Sequence, residues 1–141
     1  MGEKIQLDVV TPQRVEFSRP VDMVVAPGVN GQFGILHGHI PLVTRLEVGI
    51  LKIFDNDEVY RMAVSDGYLE VTPEKVVVLA EAAELPEEID VERALAAKRR
   101  AEERLAGLTR SDIDFVRTQA SLQRALNRLR LVEEAKRHGD K

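Results

Sequence analysis

The sequence has no cysteine and no tryptophan, and only 4% of its residues are aromatic. Without cysteine there is no disulfide framework and no thiol chemistry, which suits a reducing compartment. With so few rings, any core must be filled by Val, Leu, Ile and Ala. No apolar run approaches the ~18 residues that span a bilayer, so membrane contact is expected only through a partner. The start, Met1-Gly2-Glu3-Lys4-Ile5-Gln6, lacks an apolar signal-peptide core. Gln6 also stands where a myristoylation motif wants Ser or Thr. A soluble, cytoplasmic chain is expected. Histidine is scarce, with only His37, His39 and His138. Zinc needs three or four protein ligands, and no acid near His37 and His39 has a ligand spacing, so no metal site is expected. Ser18, Thr44 and Ser65 lack a neighbouring base in a recognisable motif, and no catalytic residue is assigned.

What is present is divided in two. The 141 residues are 44% hydrophobic and 31% charged, enough for one domain or a small domain with an appendage. Residues 1–89 carry 7 Lys/Arg and 15 Asp/Glu, net −8, while residues 90–141 carry 13 and 9, net +4. The change falls at Leu85-Pro86-Glu87-Glu88-Ile89-Asp90, where the hydrophobic period changes as well.

Before that junction apolar residues alternate. Ile5, Leu7 and Val9 interleave with Lys4, Gln6 and Asp8, and Val15/Phe17 and Val21/Met23/Val25 repeat the pattern. Ile50–Phe54, Val59–Val64, Tyr68–Val71 and Val76–Ala80 follow, separated by Asp55-Asn56-Asp57-Glu58, Ser65-Asp66-Gly67 and Thr72-Pro73-Glu74-Lys75. Short strands broken about every ten residues predict antiparallel sheets in a sandwich or barrel. Gly31 to Leu42 does not read as a strand. Its glycines lack the Gly-Lys-Ser/Thr and the following helix of a phosphate loop, so a compact loop between two strands is expected.

After the junction, Asp90 is placed to cap a helix over Val91 to Ala106, rich in strong helix formers, with Gly107 closing it. Ile89 and Ala94 stand at the positions of a hydrophobic staple. Ser111-Asp112-Ile113-Asp114 opens a second helix expected to reach about Lys136, with Leu122, Leu126, Leu129 and Val132 on one face. The short connection favours an antiparallel hairpin, lean in apolar contacts and reliant on Ala94, Ala97 and Ala101. The fold expected is therefore α+β with segregated domains. An N-terminal antiparallel β-sandwich occupies 1–86, and a C-terminal antiparallel α-helical hairpin occupies 87–141.

The arginines of the hairpin follow a rule. Arg93, Arg100 and Arg104 lie at i, i+7 and i+11, and Arg117, Arg124 and Arg128 repeat those offsets. At 100° per residue each trio occupies an arc of roughly 40°. Such stripes can be solvated faces paired with Glu102, Glu103 or Glu133. If both face the hairpin seam, their repulsion calls for a polyanion or an acidic partner, and Arg suits bidentate phosphate contacts. A basic helical-hairpin nucleic-acid-binding module is the alternative, against which stand the acidic whole and the missing aromatic interleaving.

Two segments carry a family likeness. Gly31-Gln32-Phe33-Gly34-Ile35-Leu36-His37-Gly38-His39-Ile40-Pro41-Leu42 is similar to a Gly-Glu-Leu-Gly-Ile-x-Pro-Gly-His-x-Pro-Leu signature, and Ser65-Asp66-Gly67-Tyr68-Leu69-Glu70-Val71 to Ser-Gly-Gly-x-Leu-Glu-Val. With the order of β half then hairpin, the chain resembles over nearly its whole length the epsilon subunit of bacterial F-type ATP synthases. The resemblance implies a non-catalytic central-stalk rotor subunit, peripheral at the cytoplasmic face of the cell membrane. Its sandwich would seat against the gamma subunit and the c ring. Its hairpin would restrain ATP hydrolysis by extending along gamma toward the alpha and beta subunits. Gln32, Phe33 and His39 would lie in the loop that meets the c ring. There Gln32 replaces the usual acid and His37 the usual proline, so an electrostatic contact of relatives is expected to be absent or rearranged.

Ile89-Asp90-Val91-Glu92-Arg93-Ala94 is similar to the Ile/Leu-Asp-x-x-Arg-Ala motif of members that bind ATP in the hairpin. Carried over by position, Glu84, Ile89, Asp90 and Ala94 would surround base and ribose, while Arg93, Arg100, Arg124 and Arg128 would take the phosphates. ATP, with or without Mg2+, would be a regulatory ligand of the compact hairpin and not a substrate. Arg104 and Arg117 are left between that site and acidic side chains of the catalytic subunits.

Overall fold

Ile5, Leu7 and Val9 set the first strand. In the computed structural model, which describes residues 2–138, they are fully buried along β1 (Ile5–Val10), with half-buried neighbours between them. β2 (Val15–Val21), β3 (Met23–Gly28), β4 (Gly31–Ile35), β5 (Leu42–Leu46), β6 (Gly49–Asp55), β7 (Glu58–Val71) and β8 (Lys75–Glu84) follow. One continuous sheet runs β2-β1-β8-β7-β5-β3-β4, with β6 bridging β3 and β7. It wraps around an aliphatic core to which β1 through β8 all contribute, Ile5, Val24, Ile35, Ile53, Met62 and Leu69 among them. This is the expected sandwich, followed by helices α1 (Val91–Ala106) and α2 (Ile113–His138).

Three details depart from the sequence expectation. β1 and β8 pair in parallel, Gln6 opposite Lys75 through Val10 opposite Leu79, although every other ladder is antiparallel. Alternation reports burial on one face and is silent on strand direction. Gly31–Ile35 is a strand after all, pairing with β3 from Gly28↔Gly31 to Val24↔Ile35. Glycine serves packing here, because a Cβ on Gly28 would lie 2.7 Å from Phe33 Cε1. Finally, Val59–Val64 and Tyr68–Val71 are not two strands but one.

β7 continues through Ser65-Asp66-Gly67, and both β5 and β6 pair along its one edge in a single register. Residues 42–55 and 58–71 thus form one long hairpin, reversed at Asn56-Asp57 with Asn56 in the left-handed region (φ 57°). The interruption of β7 is not a turn because Gly67 allows β8 to close against it: a Cβ there would fall 1.8 Å from the Leu79 carbonyl oxygen. Asp66, beside it, holds φ at 51°, a left-handed value within a strand.

The helical half follows its local signals. Asp90 caps α1, its carboxylate accepting from the Arg93 amide at 3.1 Å. Gly107 closes the helix at φ −95°, so without a left-handed turn. Residues Pro86–Glu88 form a single 3-10 turn between β8 and α1. Ala94 and Ala101 are buried at the hairpin seam, as is Ala125 of α2. The apolar face expected for α2 is only partly realised. Leu122, Leu129 and Val132 are half-buried and Leu126 is exposed, whereas Leu131 is fully buried. α2 packs on two sides at once, against α1 and against the sandwich, so no single stripe carries its burial. Leu131 joins Ile50, Ala63 and Ile89 in a second apolar cluster that seats the hairpin on the sheet. Asn127, also buried, donates to the Gly49 carbonyl at 2.8 Å. Among the described residues no helix is long and apolar enough to cross a membrane.

Two outcomes follow. Gly67→Ala should lower the free energy of urea unfolding by about 3 kcal/mol, since backbone of β8 blocks the new methyl; an unchanged midpoint contradicts that close approach. Asp8 is held below its ordinary pKa of 3.8 by hydrogen bonds from Ser18 Oγ and Gln6 Nε2, with Lys75 adding to them against the opposing effect of burial. A carboxyl with a depressed pKa adds stability above its unfolded pKa and loses it as pH falls through the folded value. Ser18→Ala should therefore raise the Asp8 pKa, followed by NMR titration, and reduce the loss of stability on acidification below pH 3.8.

Candidate functional site

The two helices lie close because alanine lines their seam, and that brings the arginine stripes face to face. Arg100 and Arg104 from α1 and Arg117, Arg124 and Arg128 from α2 line one cleft of about 360 Å3. Its floor is small, with Ala97, Ala101, Thr118, Ser121 and Ala125. The single acid in its lining is Asp114, 3.8 Å from Arg104 and 3.7 Å from Arg117.

A second cleft, of about 370 Å3, opens at the start of α1 and shares Ala97, Arg100 and Arg128 with the first. Glu84, Glu88, Asp90, Arg93 and Ala94 complete it, so it mixes both charge signs. Glu84 reaches in from the end of β8 and its Oε1 accepts from Arg128 Nε at 2.6 Å. Glu88 closes the 3-10 turn, accepting from the Leu85 amide at 2.8 Å and from Arg14 Nη2 at 3.0 Å. The carboxylate of Asp90 is occupied by its own helix. Arg124 lies between Ser121 Oγ at 3.1 Å and Asp66 Oδ2 of β7 at 3.4 Å. Among the described residues the side chains of Arg93 and Arg100 have no ion-pair partner.

Of the eight residues assigned to a nucleotide, Glu84, Asp90, Arg93, Ala94, Arg100 and Arg128 meet at the mixed cleft. Arg124 meets Arg100 and Arg128 at the seam. Ile89 lines neither; it is buried in the apolar cluster under the hairpin. Arg104 and Arg117, whose role the resemblance leaves open, line the seam. The structure also adds Asp114 and Ser121, three residues before Arg117 and Arg124 on the same helix, and Asp66, which meets Arg124 from β7 and which helical spacing does not reveal. Ser65, next to Asp66, is buried with its hydroxyl unpartnered, beside a cavity of about 10 Å3 lined also by Arg124 and Arg128.

Could these residues hold a nucleotide? Five guanidiniums share the seam with one lining carboxylate, with Glu84 and Asp66 pairing Arg128 and Arg124 from the sheet, and both volumes fall in the range of about 300–1,000 Å3 typical of small-molecule sites. The donor set fits phosphate, and the mixed cleft offers acceptors for amino and hydroxyl groups. The two stripes share one cleft, although Arg104 and Arg117 remain largely exposed, 66% and 77%.

The residues expected to meet a ring of partner subunits differ in element and exposure. Gln32 is exposed near one end of β4, Phe33 packs inward on the core, and His39 lies in the loop beyond the other end. His39 Nδ1 donates to the Ile40 carbonyl at 2.7 Å, and His37 Nε2 stands 3.0 Å from Glu3. Leu36 and Ile40 of the same loop, unassigned by sequence, are its most exposed apolar side chains.

Residues 4–86 match the family described as ATP synthase, Delta/Epsilon chain, beta-sandwich domain, and residues 87–133 match ATP synthase, Delta/Epsilon chain, long alpha-helix domain. An ATP synthase epsilon chain from Desulforamulus reducens is 47% identical over 133 residues, 94% of this chain and 100% of that one. Another, from Halalkalibacterium halodurans, is 50% identical over 125 residues, 89% and 94% of the two chains. Among solved structures, a chain of the Euglena gracilis mitochondrial ATP synthase aligns with a TM-score of 0.77 at 21% identity, covering 96% of this chain and 82% of its own. A chain from the central stalk and c ring of the Tetrahymena thermophila mitochondrial enzyme aligns at 0.55 and 15% identity, covering 94% and 96%. Those two likenesses speak to the fold. With both halves matched in order and relatives spanning almost the full length, the chain belongs to the ATP synthase delta/epsilon chain family.

Proposed function

We propose that this chain is the central-stalk epsilon subunit of an F-type ATP synthase and that its hairpin binds ATP as a regulatory ligand. As a member of its family it is a non-catalytic subunit. The sandwich would dock on the gamma subunit and the c ring, holding the chain at the cytoplasmic face of the membrane through the complex alone. The observation that carries the ligand reading is the convergence of Arg100, Arg104, Arg117, Arg124 and Arg128 on one seam with a single acid among them.

Each side chain has a part in holding the nucleotide. Arg100, Arg124 and Arg128 would grip the phosphates from both helices, and Arg93 would reach them from the first turn of α1. Glu84 and the backbone around Ile89 and Asp90 would face base and ribose. Mg2+, if it accompanies ATP, would neutralise part of the triphosphate charge. Because the grip needs both helices, ATP binds only the compact hairpin and favours it. As ATP falls, the extended form grows and restrains hydrolysis by reaching the alpha and beta subunits. A nucleic-acid role has no comparable support, since both halves of the chain match the delta/epsilon family.

Calorimetry of the isolated chain with Mg-ATP checks this directly, and the absence of both heat and a thermal shift at millimolar ATP would sink it. Arg93→Ala and Arg124→Ala should each weaken binding by about tenfold or more, the loss expected of a charged hydrogen bond. Arg110→Ala, which lines neither cleft, should leave binding unchanged; equal effects from all three would mean diffuse charge. Ending the chain after Glu88 should leave a folded sandwich, since its core is drawn from the strands. In the assembled enzyme the same truncation should raise ATP hydrolysis, and an unchanged rate would count against an inhibitory hairpin.

A further inference from the structure

We propose that Asp66 is a built-in counter-anion of the phosphate site: its carboxylate occupies Arg124 in place of a ligand phosphate and thereby sets how tightly the hairpin binds ATP. The inference rests on the nucleotide reading above and names a residue to which that reading gives no part.

Asp66 stands on β7, 58 residues before Arg124, with its Oδ2 3.4 Å from Arg124 Nη1. Its backbone is left-handed, φ 51°, inside a strand. That region suits glycine; aspartate tolerates it better than most residues but with some strain. The signature that this segment resembles has glycine at this place. The chain therefore keeps a carboxylate where a residue without a side chain would be conformationally easier. The neighbouring Gly67 cannot relieve it, being fixed by the approach of Leu79. The strained residue aims its charge at a cationic cleft.

Carboxylate and phosphate oxygens take the same guanidinium donors. A phosphate that reaches Arg124 must displace Asp66 or lie beside a like charge. Arg93 and Arg100 demand no such exchange, having no ion-pair partner among the described residues. Arg128 is paired with Glu84, but that acid lines the mixed cleft itself. Asp66 lines neither of the two arginine clefts, so its one effect on a ligand runs through Arg124.

An opposing effect must be weighed. The Arg124–Asp66 pair also ties hairpin to sandwich, and losing a tie lowers the compact fraction and with it the apparent affinity. Asn127 on the Gly49 carbonyl, Arg128 on Glu84 and the cluster around Leu131 hold the hairpin down independently. Competition for Arg124 therefore decides the sign. Both partners are partly exposed, 32% and 54%, so the effect is modest.

The test is calorimetric titration of the full chain with Mg-ATP, comparing wild type, Asp66→Asn, Arg124→Ala and the double variant. Asp66→Asn should tighten Kd by about three- to fivefold, the scale of one exposed ion pair. Asp66→Gly, which suits the left-handed backbone, should shift Kd in the same direction. In the Arg124→Ala background, Asp66→Asn should give no gain. Unchanged or weaker binding by variants whose thermal unfolding remains cooperative overturns the proposal. So does an equal gain with and without Arg124, which would mean general charge and not the pair. If wild type itself fails to bind ATP, the nucleotide reading falls and this inference with it; if wild type binds and Asp66 has no effect, only the inference falls.

Discussion

Alanine at a helix seam forces a choice on the charges beside it. Ala94, Ala97, Ala101 and Ala125 let α1 and α2 approach closely, and the arginine stripes come together with them. At an effective dielectric of 20, two unit charges about 6 Å apart repel by about 3 kcal/mol. The compensating acids come from Asp114 within the hairpin and from Glu84 and Asp66 on the sandwich. The fold of the hairpin and its seat on the sheet are for this reason one problem. The acidic half and the basic half, separated so cleanly along the chain, meet again in space where the excess of each is offset.

Local chemistry made much of this legible. Asp90, Gly107 and the alternation of Ile5, Leu7 and Val9 each declare an element within a few residues of themselves. The arginine offsets needed only helical geometry to be read. What escaped depends on contacts far along the chain. The parallel partnership of β1 with β8 joins Gln6 to Lys75, and alternation carries no direction. Strand β4 was hidden because Gly31 and Gly34 look like loop until its pairing with β3 is seen, where Phe33 fills the space beside Gly28. The buried stripe of α2 was misjudged at Leu126 because two different surfaces bury that helix. Asp66 and Glu84 meet their arginines 58 and 44 residues away.

The same contacts divide the molecule's stability unevenly. The sandwich has a continuous core drawn from all eight strands. The hairpin contributes alanine at its seam and only Ile89, Leu131 and Val132 to the cluster on the sheet. Full burial of one leucine is worth about 2 kcal/mol, so this seat is held as much by ion pairs and by Asn127 as by apolar area. Contacts of that kind are sensitive to salt and to competing anions. Regulation by a charged metabolite, as proposed, would act on the part of the structure least secured by packing.

The 3-10 turn at Pro86–Glu88 has a mechanical meaning. Leu85, Glu88 and Arg14 fix it against the sheet, and α1 departs from it directly. Sixteen residues at 1.5 Å each make α1 a rod of about 24 Å. Turned through ten degrees about its root, such a rod carries its far end through about 4 Å, enough to part a guanidinium from any oxygen it holds. Contacts near the root, at Arg93, would slide little, while those at Arg104 and Arg117 would open first. The hairpin would therefore unfasten from its tip, in the manner of a zip whose slider is farthest from the hinge.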